Sequence, residues 1–147
     1  PETSGFLEKE RDRFANPVGF TLRTGIESIY DHLHRWMGGS LDKDALLEAL
    51  EKILKVRAVQ DFSPSGAVAF LMHGKQALRL ELPQPWPFSA DEIFHFERRL
   101  DQILLWAFDV YTQCRERIQS ITIKEYKSRV EVMQAMLVKS ALNEPDE

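Results

Sequence analysis

From Val18 to Trp36 the apolar positions recur at three- and four-residue intervals: Val18, Leu22, Ile26, Ile29, Leu33 and Trp36. Turning each residue by about 100° brings all six into one narrow arc, the mark of a helix with one buried face. The same rotation gathers Leu46, Leu47, Leu50, Ile53 and Leu54 in a second segment, and Ala67, Phe70, Leu71, Gly74, Ala77, Leu78 and Leu82 in a third. Gly74 lies at the centre of the third arc, where a missing side chain lets another helix come close. The last segment has no Gly or Pro from Ser89 to Asn143, and Ile93, Phe96, Leu100, Leu104, Ala107, Tyr111, Cys114 and Ile118 keep one face over about seven turns. Beyond it Tyr126, Val130, Met133 and Leu137 align with one another about 100° away. The helix therefore changes partner near "SITIKE".

Start and stop signals divide these segments. Asn16-Pro17, Ser63-Pro64 and Ser89 each offer a side-chain oxygen to the orphan amides of a helix, and a proline just after costs nothing there. Glu92, three residues after Ser89, completes a capping box. Gly38-Gly39 and "PQPWP" at 83–87 are stops. These signals predict helices at about 17 to 37, 42 to 60, 64 to 82 and from 90 onward, a short one at 6 to 14, and no strand. The expected fold class is an all-α helical bundle with a long C-terminal helix, one helical domain over 1–147. A continuous final helix of roughly 50 residues would span about 75 to 80 Å, against a radius of gyration of about 15 Å for a compact domain of this size. Residues 119–142 are thus expected to form an extension that projects or mediates association, with projection favoured over folding back.

Composition narrows the function classes. With 147 residues, 44% of them hydrophobic, the chain can build one real core. Nineteen basic and 23 acidic residues are mixed along it, for a net charge of −4, without a polybasic block to answer a phosphate backbone. Nucleic acid is not an expected partner. The longest apolar runs, "AVAFLM" and "ILLWAF", fall far short of the roughly 20 residues that span a bilayer, so no membrane partner is expected. A single cysteine, Cys114, cannot form an internal disulfide, and a cytoplasmic setting is the expectation.

Candidate chemistry is sparse. His32 and His34 point about 160° apart on a helix and cannot share an ion. Glu92-x-x-His95 is half of a di-iron element without a second copy, and Glu92 is better used as a cap. His73 stands at the edge of its apolar stripe, where a hydrogen-bonded structural role outweighs a haem ligand. Cys114 lies within an apolar face and reads as a buried, inert thiol. No nucleophile, base and acid come together, and no glycine loop cradles a phosphate. The expectation is a protein that is not an enzyme, with no catalytic, metal or cofactor-binding residues.

Two features do call for explanation. In "ILKVRAVQDFSPSGAVAF", residues 53–70, rotation puts Arg57 at the centre of the second arc with Gln60 and Asp61 at or near it. Inward charge must be paired, and Arg57 with Asp61 has the four-residue spacing that lets helical side chains meet. Ser63 or Asp61 can cap the helix that follows. Arg57, Gln60, Asp61 and Ser63 are therefore expected to form a polar corner lock, with a partner or ligand contact as the alternative. Stranding a buried Asp61 by Arg57→Met would cost about 3 to 5 kcal/mol. Secondly, Phe94, Leu105 and Phe108 form an apolar arc on the flank opposite the main stripe of the last helix. Either the fold covers both sides or this arc is a self-association surface.

"RDRFANPVG" (11–19), "VRAVQDFSPSGAVAF" (56–70) and "LLWAFDVYTQCRERI" (104–118), in this order, resemble the RsbRD-like N-terminal domain family. Its members are the amino-terminal sensory domains of RsbT co-antagonists, regulators of the general stress sigma factor, and the likeness runs to about residue 127. The resemblance implies an all-helical domain, related in some members of the wider group to a globin fold without haem, dimeric, and given to signal input and protein assembly without catalysis. In full co-antagonists a connecting helix leads on to a STAS domain that a partner kinase phosphorylates. This chain reaches Glu147 without a β-rich segment, so that output domain is expected to be absent from it. The function expected is a non-enzymatic sensing module that dimerises and relays a signal to protein partners; the alternative is a sensor binding a small ligand or haem-like cofactor in a globin-like pocket.

Overall fold

The computed structural model describes residues 16–81, 83, 85 and 87–142, without the side chain of Leu78. It is all-α. Helices α1 (Pro17–Met37), α2 (Lys43–Val59), α3 (Pro64–Glu81) and α4 (Ala90–Leu142) follow one another, and no strand occurs among the described residues. The bounds agree with the sequence signals to within a residue. The helix expected at 6 to 14 lies outside the described residues. The last segment is one uninterrupted helix of 53 residues. Contacts divide the chain into two compact units, one ending at Cys114 and the other beginning at Arg115.

The caps do what their chemistry dictates. Asn16 Oδ1 accepts from the Gly19 N–H at 2.8 Å, and Ser63 Oγ accepts from the Gly66 N–H at 3.2 Å. Each such bond satisfies an orphan donor and contributes about 1 kcal/mol. At the head of α4 the capping box closes in both directions: the Glu92 N–H donates to Ser89 Oγ at 3.2 Å, and the Glu92 carboxylate accepts from the Ser89 N–H at 2.8 Å. Asp42, which the patterning did not single out, caps α2 by accepting from the Ala45 N–H at 3.0 Å.

The core of the first unit is built from the predicted arcs. Leu46, Leu50, Ile53 and Leu54 of α2 are fully buried, with Ile29 and Leu33 of α1 and Ala67 and Leu71 of α3. Leu100, Ile103, Ala107, Tyr111 and Cys114 of α4 are at most 4% exposed. Gly25 brings α1 hard against α2, since a Cβ there would lie 2.6 Å from Ile53 Cγ1. Gly74 serves differently from the expectation of a close helix approach: the Tyr30 hydroxyl of α1 fills the space its side chain would need. The third arc also fades toward its end, where Ala77 is exposed, and near its start Val68, off the predicted arc, is buried. Side-chain bonds tie α4 to the rest. Lys75 and Arg79 of α3 pair with Asp101 and Glu97 at 2.5 and 2.7 Å, and Trp36 of α1 stacks on Trp106 with ring centres 5.6 Å apart.

Candidate functional site

At the corner between α2 and α3, Arg57 ties one helix to the next. The guanidinium comes from the last turn of α2 and donates from Nη1 to the carbonyls of Gly66 and Ala67 in the first turn of α3, both at 3.1 Å. Phe62 and Phe70 flank it, with ring centres 5.3 and 5.0 Å from its central carbon. A delocalised, weakly hydrated cation suits such a slot, which offers carbonyl dipoles and ring faces instead of an anion. Burial still works against the charge and pushes the Arg57 pKa below its ordinary value.

The rest of the lock differs from the expectation. Gln60 and Asp61 are exposed, so the charges do not all point inward and no buried carboxylate waits to be stranded. The reason is geometric: α2 ends at Val59, and Asp61 enters the left-handed region with φ 59°, which breaks the rotation that placed it on the buried arc. Asp tolerates that conformation better than most residues. Ser63 caps α3 as predicted. A further clasp was invisible in the spacing, the Tyr111 hydroxyl of α4 donating to the Phe62 carbonyl.

The second arc of α4 is open to solvent. Phe94, Leu105 and Phe108 are 58, 62 and 49% exposed. They do not form one patch. Phe94 stands about 16 Å up the helix axis from Leu105, and the same rotation puts Asp101, with its partner Lys75, between them. Leu105 and Phe108, one turn apart, are the contiguous part. In the second unit the stripe of Tyr126, Val130, Met133 and Leu137 is likewise exposed.

A cleft of about 480 Å³ opens between α1 and the start of α4, lined mainly by Tyr30, Leu33, Met37, Phe88, Ile93 and Phe96. His34 and Glu92 are its polar edge. Glu92 is committed to the capping box, whose donors hold its carboxyl below the usual carboxylate range. Among the described residues no three His, Cys, Asp or Glu side chains are grouped to hold a metal ion, and no helix is long and apolar enough to cross a membrane.

Among the described residues, four helices with a polar corner after the second and a long final one define an all-α domain. A profile described as the RsbT co-antagonist protein RsbRD N-terminal domain matches residues 2–124, and the chain belongs to that family. A protein of Archaeoglobus fulgidus described as uncharacterized is 28% identical over 118 residues, covering 79% of this chain and 74% of that relative. No solved structure matches.

Proposed function

We propose that the chain is a non-enzymatic regulatory module of stress signalling that self-associates along α4 and passes a signal to protein partners. Family membership supports the regulatory role. The exposed Leu105–Phe108 pair, on a helix whose opposite face is buried, is the observation that carries self-association. Large apolar side chains side by side in water gain free energy when a second surface covers them. A second copy brings the same pair, as an isologous dimer requires. Relay through α4 is supported by its continuity, because one uninterrupted helix carries the packed face and the exposed stripe beyond it. Light scattering across micromolar concentrations tests this reading. A dimer is expected for the native chain and a monomer for Phe108→Glu; a strict monomer for both would sink it.

The apolar cleft supports a second reading, a module that senses a small apolar ligand. Its walls are preformed and its few polar groups sit at the rim, as in many small-molecule sites. Native mass spectrometry of protein purified under gentle conditions would then show a retained molecule, lost on Leu33→Trp. A ligand-free mass, with no uptake of haem or fatty acid, counts against it.

A further inference from the structure

A second cleft, of about 280 Å³, is lined by Trp36 of α1 and by His95, Arg98, Arg99 and Gln102 of α4. Spaced at i, i+3, i+4 and i+7, the four α4 residues share one face of the helix. All four side chains carry hydrogen-bond donors or become donors on protonation, and no carboxylate lines the cleft. The acidic residues nearest in sequence are turned elsewhere. Glu97 and Asp101 belong to the opposite flank, where they pair with Arg79 and Lys75 of α3.

Arg99 is the group this arrangement leaves short. Its Nη1 reaches Met37 Sδ at 3.3 Å and the His95 carbonyl at 3.4 Å, both weak or long contacts for a cation. Its Nε is buried without a hydrogen-bond partner. Neither Arg98 nor Arg99 has a carboxylate partner among the described residues. Arg57, also half-buried and likewise with an unpartnered Nε, differs in that its Nη1 donates to two carbonyls and two rings flank it. Trp36 makes the floor firm: Arg99 lies over it at 5.5 Å, Trp106 stacks behind, and Lys43 stands 4.8 Å from the centre of the Trp106 ring. Two cations thus lie against one aromatic stack. Desolvated charge is stable only when compensated, and a guanidinium fork matches an oxyanion in shape and charge.

We infer that this cleft binds a small oxyanion, the phosphate or carboxylate group of a metabolite of a few carbon atoms. Arg99 supplies the fork from within, Arg98 the second charge at the rim, and Gln102 and His95 further donors. The cleft is too small to seat much beyond that group, which separates it from a surface for folded partners.

Inorganic phosphate and citrate are the probes, and the readout is the Arg99 side-chain Nε–H resonance together with calorimetry on the full chain. Saturable binding with a dissociation constant below about 10 mM is expected. Arg98→Ala should weaken it about tenfold, and Arg99→Lys, which keeps the charge and loses the fork, by about tenfold or more. Lys52→Ala, an exposed lysine paired with Glu48, should leave affinity unchanged and controls for net charge. The variants' helical circular dichroism separates lost binding from lost fold. No saturable shift with either probe overturns the inference. So does calorimetric binding as tight in Arg98→Ala and Arg99→Lys as in the native chain, or binding of an acidic peptide without either small anion.

Discussion

Between Ala90 and Cys114 helix α4 carries apolar residues on two faces, and the two meet different surroundings. Leu100, Ile103, Ala107, Tyr111 and Cys114 vanish beneath the other helices, while Leu105 and Phe108, on the same turns, stay about half exposed or more. Hydrophobicity does not distinguish the two sets. What differs is the edge of each face. The inner stripe is buried without a charged residue among its members, whereas the outer arc is interrupted by Asp101 and flanked by Glu97, whose ion pairs with α3 tolerate water. An apolar arc is covered by its own chain when neighbouring positions are apolar too. Where charges interrupt it, any cover must come from elsewhere.

The contrast can be broken from the inside first. Ile103→Ala should cost about 3 to 4 kcal/mol in urea denaturation, the transfer and cavity terms of a fully buried side chain; a loss under about 1 kcal/mol would mean that the inner face is no better packed than the outer. Arg57→Met comes next at about 2 kcal/mol, from two charge-assisted bonds to carbonyls that also belong to a helix. A loss beyond about 4 kcal/mol would restore a buried charge partner at the corner. Phe108→Glu should move stability by no more than about 0.5 kcal/mol, while abolishing association. Thermal melts at low concentration, beside light scattering, separate those two effects.

The smallest effect is one of pH. Donors from Ser89 depress the Glu92 pKa, so its contribution is present above the unfolded carboxylate pKa and is lost as pH falls through the folded one. NMR shifts of Ala90 to Ile93 should report fraying of the α4 start once the pH falls below the ordinary carboxylate range, and Glu92→Gln should flatten that response. An identical titration in the variant would assign it to another group.

Much of the fold is legible in the sequence. The arcs of α1 and α2, the main stripe of α4 and three of the caps follow from period and start chemistry, since both are local. The corner was half readable. Arg57 lies on the buried arc because α2 persists through it, but the rule fails at Asp61, where the backbone leaves helical geometry. Its acceptors, the Gly66 and Ala67 carbonyls, carry no side-chain signal at all. The Lys75–Asp101 and Arg79–Glu97 pairs, the Tyr111 clasp and the Trp36–Trp106 stack join residues 18 to 70 positions apart, and one sequence holds no trace of such meetings. The oxyanion cleft is of this kind. His95, Arg98, Arg99 and Gln102 look like an ordinary solvated helix face until Trp36 closes one side of it.

The indole stack at the α1–α4 contact also gives the molecule a built-in optical signal. Two of its three tryptophans lie 5.6 Å apart and inclined by only 20°, with the Arg99 guanidinium 5.5 Å from the centre of one ring and the Lys43 ammonium 4.8 Å from that of the other. Chromophores that close couple their near-ultraviolet transitions, and adjacent positive charge tunes their emission energy. Any event that shifts α1 against α4, or that neutralises Arg99, should therefore change colour and ellipticity without an added label.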